Sequence, residues 1–259
     1  MTNMVTDRAW EQTAPDLSGK TVVVVGGSGG VGEGVVRTLL SRGATVIATG
    51  RDEGRLAELN HNLGEGSERL HVAVVDATEP ALDSTVASLA ARYGGTFDGV
   101  VVSVASWGEQ GRKSALSLTD AEWEELLRAN LTSVFRVFRA FLPFTSPDGT
   151  ILQLNGMSAD LPFPGGAGVA LSAAATKSLT RTIAAEQDGR GPRFYQVILG
   201  VVRTRARQQA GIDDQRWLDG EDVGAHVAGL VAGTSPLTAT TVHYFTDKQA
   251  GPQSAPEAY

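Results

Sequence analysis

Cysteine is absent from the 259 residues, which excludes disulfides, thiolate metal ligands, a Cys nucleophile and thiol redox switching together. Tyrosine and histidine are scarce at four each, and none falls between Gly94 and Phe194. Long apolar runs are missing too. Thr21–Val25 is strand-sized, far short of the ~18 residues a membrane-spanning helix needs. The stretch 1–19 is polar, with Asp7, Glu11 and Asp16, and lacks the basic start and apolar centre of a secretory signal. A cytoplasmic protein is the expectation. Positive charge is in deficit: 22 Lys and Arg against 29 Asp and Glu leave a net charge of −7. That argues against nucleic-acid and anionic-membrane partners. A small-molecule substrate and no metal site are expected.

What is present suits one domain. Apolar residues make up 42% and charged residues 20%, enough for a sizeable core. Short β-branched runs at 22–25, 45–48, 70–75, 99–104, 151–154, 196–199 and 240–245 read as buried strands. Amphipathic stretches separate them. Val31, Val35, Val36, Leu39 and Leu40 share a helical face closed by Arg42-Gly43. Thr119-Asp120 starts a longer helix with Trp123, Leu126, Leu127, Leu131, Val134, Phe135 and Phe138 on its apolar side. An Ala-rich helix runs from about Gly166 to Gln187. This alternation predicts an α/β fold, a single-domain Rossmann-like doubly wound parallel sheet with helices on both faces. The expected division is an extension at 1–19, the domain at 20–247, and a loose Gly/Pro/Ser-rich tail at 248–259.

The first strand leads straight into Gly26-Gly27-Ser28-Gly29-Gly30-Val31-Gly32 and a helix. Glycines there let backbone approach a pyrophosphate, and the helix start offers free N–H groups and a positive dipole. The spacing of Gly26, Gly30 and Gly32 resembles the T-G-x-x-x-G-x-G of the short-chain dehydrogenase/reductase family, with Val25 in the threonine's place. The likeness continues through Asp76-Ala77, Asn130-Leu131-Thr132, Phe163-Pro164-Gly165, Leu179-Thr180-Arg181 and Gly200-Val201-Val202-Arg203-Thr204. It implies a nicotinamide dinucleotide held by Gly26, Ser28, Gly30, Val31 and Gly32 at the phosphates, Asp76 and Ala77 at the adenine, and Thr204 over the nicotinamide. Helix pairing into a homodimer or homotetramer is implied as well. The second strand ends in Gly50-Arg51 where an acidic residue would accept the ribose hydroxyls of NAD. Arg51 can instead pair with a 2′-phosphate, so NADP(H) is expected over NAD(H).

The family's chemistry rests on a Tyr acid/base, a Lys four residues on and a Ser about thirteen residues before the Tyr. Counted from the flanking segments, these positions hold Val169, Ala173 and Gly156. Only the asparagine, Asn130, survives, and it equally suits the satisfaction of backbone groups at a helix irregularity. Lys177, one turn past Ala173, and Ser158, two residues past Gly156, are candidate substitutes. Ser158 faces away from the site if strand alternation persists. Asn155, Asp160, Ser172 and Trp107 are the other side chains in that neighbourhood. Three functions fit: a reductase with non-standard proton chemistry, a non-redox cyclase, lyase or isomerase on the same fold, or an inactive NADP-binding partner protein.

Overall fold

The computed structural model describes residues 14–63 and 68–256. In chain order it runs β1 (Thr21–Val25), α1 (Gly30–Ser41), β2 (Thr45–Gly50), α2 (Glu53–Leu63), β3 (Leu70–Val74), α3 (Leu82–Arg92) and β4 (Phe97–Val102). Then come α4 (Asp120–Leu127), α5 (Ser133–Phe141), β5 (Thr145–Gly156), α6 (Ala167–Gln187), β6 (Arg193–Leu199), β7 (Val202–Arg203), α7 (Arg205–Gln209), β8 (Leu218–Asp219), α8 (Gly220–Ala232) and β9 (Val242–Phe245). Seven strands form one parallel sheet in the order β3-β2-β1-β4-β5-β6-β9. The strand order reverses beside β1, so the chain leaves β1 and β4 in opposite directions and opens a crevice at their carboxyl ends.

Strand alternation sorts the core into two layers. Val22 and Val24 pack with Val35, Val36 and Leu39 of α1 and with Val223 and Val227 of α8. Val23 and Val25 point the other way, to Leu82 and Val86 of α3 and to Val134, Val137 and Phe138 of α5. Each face of the sheet thus has its own helices, as the patterning implies. Where α1 crosses α8 the backbones nearly touch: a Cβ on Gly34 would sit 2.4 Å from the Gly220 Cα.

Three features depart from the sequence expectation. β5 begins at Thr145, six residues before its apolar run, because Thr145 pairs with Phe97 before the ladder shifts register and resumes at Gly99 and Thr150. The long helix after Thr119, whose capping box with Glu122 is formed, contains a π-helical turn at Arg128–Thr132 between α4 and α5. Finally, the tail is not loose as far as it is described. Tyr244 and Gln253 exchange both backbone hydrogen bonds at 2.8 Å, and Lys248 pairs with Asp219 and Asp222 at the start of α8. β9 is an edge strand, and the returning chain satisfies the outward backbone groups of Tyr244, which composition alone does not reveal. Of the expected N-terminal extension, residues 1–13 lie outside the described residues. Leu17 is fully buried and donates its N–H to Arg42 O at 2.7 Å, so the domain effectively starts before Lys20.

Candidate active site

A cleft of about 640 Å³ opens at the crevice and is lined by the β1–α1 turn, the ends of β4, β5 and β6, the start of α6 and the segment around α7. The turn is built for close backbone approach. Gly26 has φ +83°, and a Cβ there would lie 2.2 Å from Ser103 O; a Cβ on Gly32 would lie 2.2 Å from Gly26 O. Gly29 caps α1 without a side chain, which leaves the first amides of the helix for a ligand. Gly30 and Val31 line the cleft directly, and Thr204 packs against Gly30, where a Cβ would meet it at 2.6 Å. Arg203 braces that contact through bonds to Asp213 at 2.7 and 2.8 Å and to Asp219 at 2.8 Å.

At the other end of the turn, Ser28 Oγ sits where a side chain on Gly50 would project, 2.9 Å from such a Cβ. Arg51 is exposed beside it. Arg55, one helical turn further on, donates to Ser28 O at 3.1 Å and lines the cleft. Sequence reading missed Arg55, although its i+4 relation to Arg51 at the start of a helix was the available signal. Asp76 Oδ1 accepts both the backbone N–H and the hydroxyl of Thr78, at 2.8 and 2.7 Å. Burial pushes the Asp76 carboxyl up, but those two bonds and the nearby Arg51 and Arg128 outweigh it and hold it below the usual carboxylate range. Ala77 joins the apolar layer under α3 and presents no polar side chain.

The glycine turn with its open helix start, the two guanidinia and the ionised Asp76 fit a dinucleotide, with Arg51 and Arg55 at the adenosine end.

Gly156, Val169 and Ala173 all line the same cleft, so the three positions that carry catalysis in the resemblance are gathered there. The lining has no tyrosine, histidine, lysine or carboxylate. Asn130 sits in the π-helical turn, where its amide is fully engaged. Its Oδ1 accepts from Ser106 N at 2.7 Å, and its Nδ2 donates to Ser106 O and Leu126 O at 2.9 Å each. It clips the segment after β4 to the helix and satisfies the Leu126 carbonyl that the π turn frees. Ser158 lies on the cleft because the strand does not persist. β5 stops at Gly156, a short 3₁₀ turn follows at Met157–Ala159, and the Ser158 hydroxyl lies 3.8 Å from where a Cβ on Gly156 would stand. Lys177 is not brought in. Its ammonium pairs with Asp160 and lies 6.0 Å from the Tyr244 ring, outside the lining. Under Ala173, Asn155 Nδ2 donates to the Ala173 carbonyl at 2.9 Å and to Thr176 Oγ1 at 3.3 Å, so a hydroxyl–amide patch sits beneath the Lys position.

Fold and cleft together define a nucleotide-binding enzyme scaffold of the doubly wound type. The chain belongs to the short-chain dehydrogenase family, whose model matches residues 20–215. It is 27% identical over 203 residues to the 3-oxoacyl-(acyl-carrier-protein) reductase of Vibrio harveyi, covering 78% of this chain and 80% of that one. An indene-carboxyl-CoA reductase of Mycobacterium tuberculosis is 37% identical over 144 residues, 54% of this chain and 53% of that protein. Among solved structures, an NADPH-bound short-chain oxidoreductase of Pseudomonas aeruginosa, described as containing an atypical catalytic centre, superposes with a TM-score of 0.77 and 26% identity. That superposition covers 90% of this chain and 96% of the other. Members of the family bind NAD(P)H, act on small molecules and often oligomerise. No helix among the described residues is long and apolar enough to cross a membrane.

Proposed function

We propose that the protein is an NADP(H)-binding oxidoreductase acting on a small organic molecule, with a proton route other than the family's Ser-Tyr-Lys set. One observation carries the reading: a single cleft joins an intact phosphate turn to a floor of Gly156, Val169 and Ala173. The dinucleotide would supply hydride transfer at its nicotinamide. The amides of α1 would hold its phosphates, Arg51 and Arg55 its 2′-phosphate, and Thr204 would cover the nicotinamide end. The ordinary proton donor is missing, and general acid–base catalysis typically contributes ~10²–10⁴-fold, so unassisted reduction would be slow but measurable. Ser158 is the hydroxyl beside the lost serine position, and a water held there would complete the route. The NADPH complex of the Pseudomonas aeruginosa structure supports the choice of cofactor.

The simultaneous loss of all three groups favours a second reading, a cyclase, lyase or isomerase that holds the nucleotide without oxidising it. One experiment separates them. NADPH and NADH are titrated, and nicotinamide absorbance is then followed across a carbonyl panel for the unmodified protein and for the combined Gly156→Ser, Val169→Tyr, Ala173→Lys variant. Residue 156 has room, since a Cβ there meets only Ser158 Oγ at 3.8 Å. Turnover by the unmodified protein, or only by the triple variant, supports an oxidoreductase cleft. Tight NADPH binding with both proteins inert moves the assignment to non-redox chemistry or to a binding partner.

A further inference from the structure

The charge of the cleft is one-sided. In a protein of net charge −7, its charged lining residues are Arg55 and Arg207. Both are engaged by backbone: Arg55 bonds Ser28 O in the phosphate turn, and Arg207, one turn after Thr204, has its guanidinium on Val202 O at 2.6 Å. A third guanidinium, that of the exposed Arg112, lies outside this lining but against two rings that belong to it. Arg112 lies 5.6 Å from the centre of the Trp107 ring and 5.1 Å from that of Phe163, and the two rings are 5.4 Å apart. Both rings line the cleft, and the Arg112 stem would touch a Cβ on Gly165, just before α6. Neighbouring Lys113 is taken by Glu122 at 2.5 Å. Arg112 has no carboxylate partner among the described residues.

Stacking occupies the face of a guanidinium and leaves its in-plane N–H donors free, in a fork that matches a carboxylate or phosphate. The two rings and the Gly165 backbone crowd the side chain, so less of its freedom remains to be lost when an anion docks. Along with the two rings, the lining includes the apolar Met157, Leu161, Pro162 and Val169. We propose that Arg112, at the rim of the cleft beside Trp107 and Phe163, binds an oxyanion of the substrate, so that the cleft takes an organic anion with an apolar body. The proposal rests on the reading of this cleft as the substrate site and deepens it. The anion proposed is not the cofactor's, whose phosphates would face the turn at Gly30.

Two matched pairs test it by calorimetry on the full chain, with and without NADP⁺: benzoylpropionate against its methyl ester, and acetoacetyl-CoA against the neutral acetoacetyl-N-acetylcysteamine. The anionic member of one pair is expected to bind roughly five- to tenfold tighter, a partly exposed charge-assisted bond being worth about that. Arg112→Gln should remove the difference and Arg112→Lys should restore only part of it, with thermal melting showing the variants folded. Preference in the first pair identifies a substrate carboxylate, and preference in the second alone a carrier phosphate. No discrimination in either pair, a discrimination that survives Arg112→Gln, or no binding of any of the four overturns the proposal. Equal losses for charged and neutral members in Arg112→Gln also overturn it, because a purely structural staple predicts that. Failure of NADP⁺ to bind in the same titrations would sink the redox reading and leave this result standing.

Discussion

Three substitutions test side chains with contrasting duties. Arg51 is exposed and its proposed duty is to a ligand, so Arg51→Ala should leave stability untouched. It should weaken NADPH roughly ten- to hundredfold while barely changing NADH, which competitive fluorescence titration reads. Arg55→Ala should give a smaller version of the same effect, since that guanidinium is shared with Ser28 O. Equal affinity of the unmodified protein for both cofactors would refute the role. Asn130 is the reverse case. Asn130→Ala leaves Ser106 N–H, Ser106 O and Leu126 O without their partner in a site only 7% exposed, and should cost about 2–3 kcal/mol in denaturant unfolding. The sequence points to Gly26, Gly30, Gly32 and Thr204 because backbone needs dictate residue type there. It does not reveal Arg55, whose position depends on how α2 leaves β2, nor the pairing of Lys177 with Asp160, which depends on where β5 stops. Side-chain placement is legible where the backbone forces it and illegible where an element end decides it.

Elements follow the sequence closely because burial on both faces of a parallel sheet writes itself as unbroken β-branched runs. Their ends do not. The six early residues of β5 carry Pro147 and Gly149, a polar stretch that becomes strand only through its neighbour β4. The β7–β8 ladder is two residues long on each side and has no periodicity to read. Helix contacts are equally hidden until the chain is folded. Gly34 and Gly220 lie 186 positions apart, yet each is glycine because the other's backbone is in the way. Gly34→Ala puts a methyl group 2.4 Å from a main-chain atom that cannot swing aside, and should cost about 1–3 kcal/mol. The loss should appear as a lower melting temperature with cofactor affinity at low temperature nearly unchanged, since the phosphate turn precedes the crossing. A tolerated Gly34→Ala would mean that α8 is free to shift outward.

For the molecule as a whole, acid is the condition to vary. His226 and His243 are buried together between α8 and β9, with Nε2 of one 2.9 Å from Nδ1 of the other. His243 Nε2 points at the carbonyls of Thr240 and Leu237 and therefore carries a proton, which makes its Nδ1 the acceptor for His226. Both rings are thus neutral. Burial, and then the neighbouring His243, push His226 down to about 3, and burial lowers His243 as well, against the bonds to Thr240 and Leu237 that raise it. A folded value below the unfolded one means that the unfolded chain takes up protons first. Stability should be level above about pH 6.5 and fall as pH drops from there toward 5, before the carboxylates titrate. Urea unfolding at stepped pH checks this, and the slope should lessen in His226→Gln. A flat profile over that window would rule the pair out as its cause.

The sheet has two rims, and they are unequal. Among the described residues no strand pairs with the outer edge of β3, where Val72 and Val74 are 37% and 56% exposed, while along β9 the chain folds back and Gln253 occupies Tyr244's backbone groups. Growth of any assembly by strand addition needs two sticky ends on each subunit, one to receive and one to offer. A subunit with one end blocked can join a single neighbour, β3 against β3, and the process halts at a pair. The returning segment is thus expected to work as a chain terminator against fibrous polymer, a role a tail can perform without contributing to the chemistry at all. Deleting residues 248–259 would convert a self-limiting contact into an open-ended one, visible as light scattering that keeps rising with concentration where the full chain levels off.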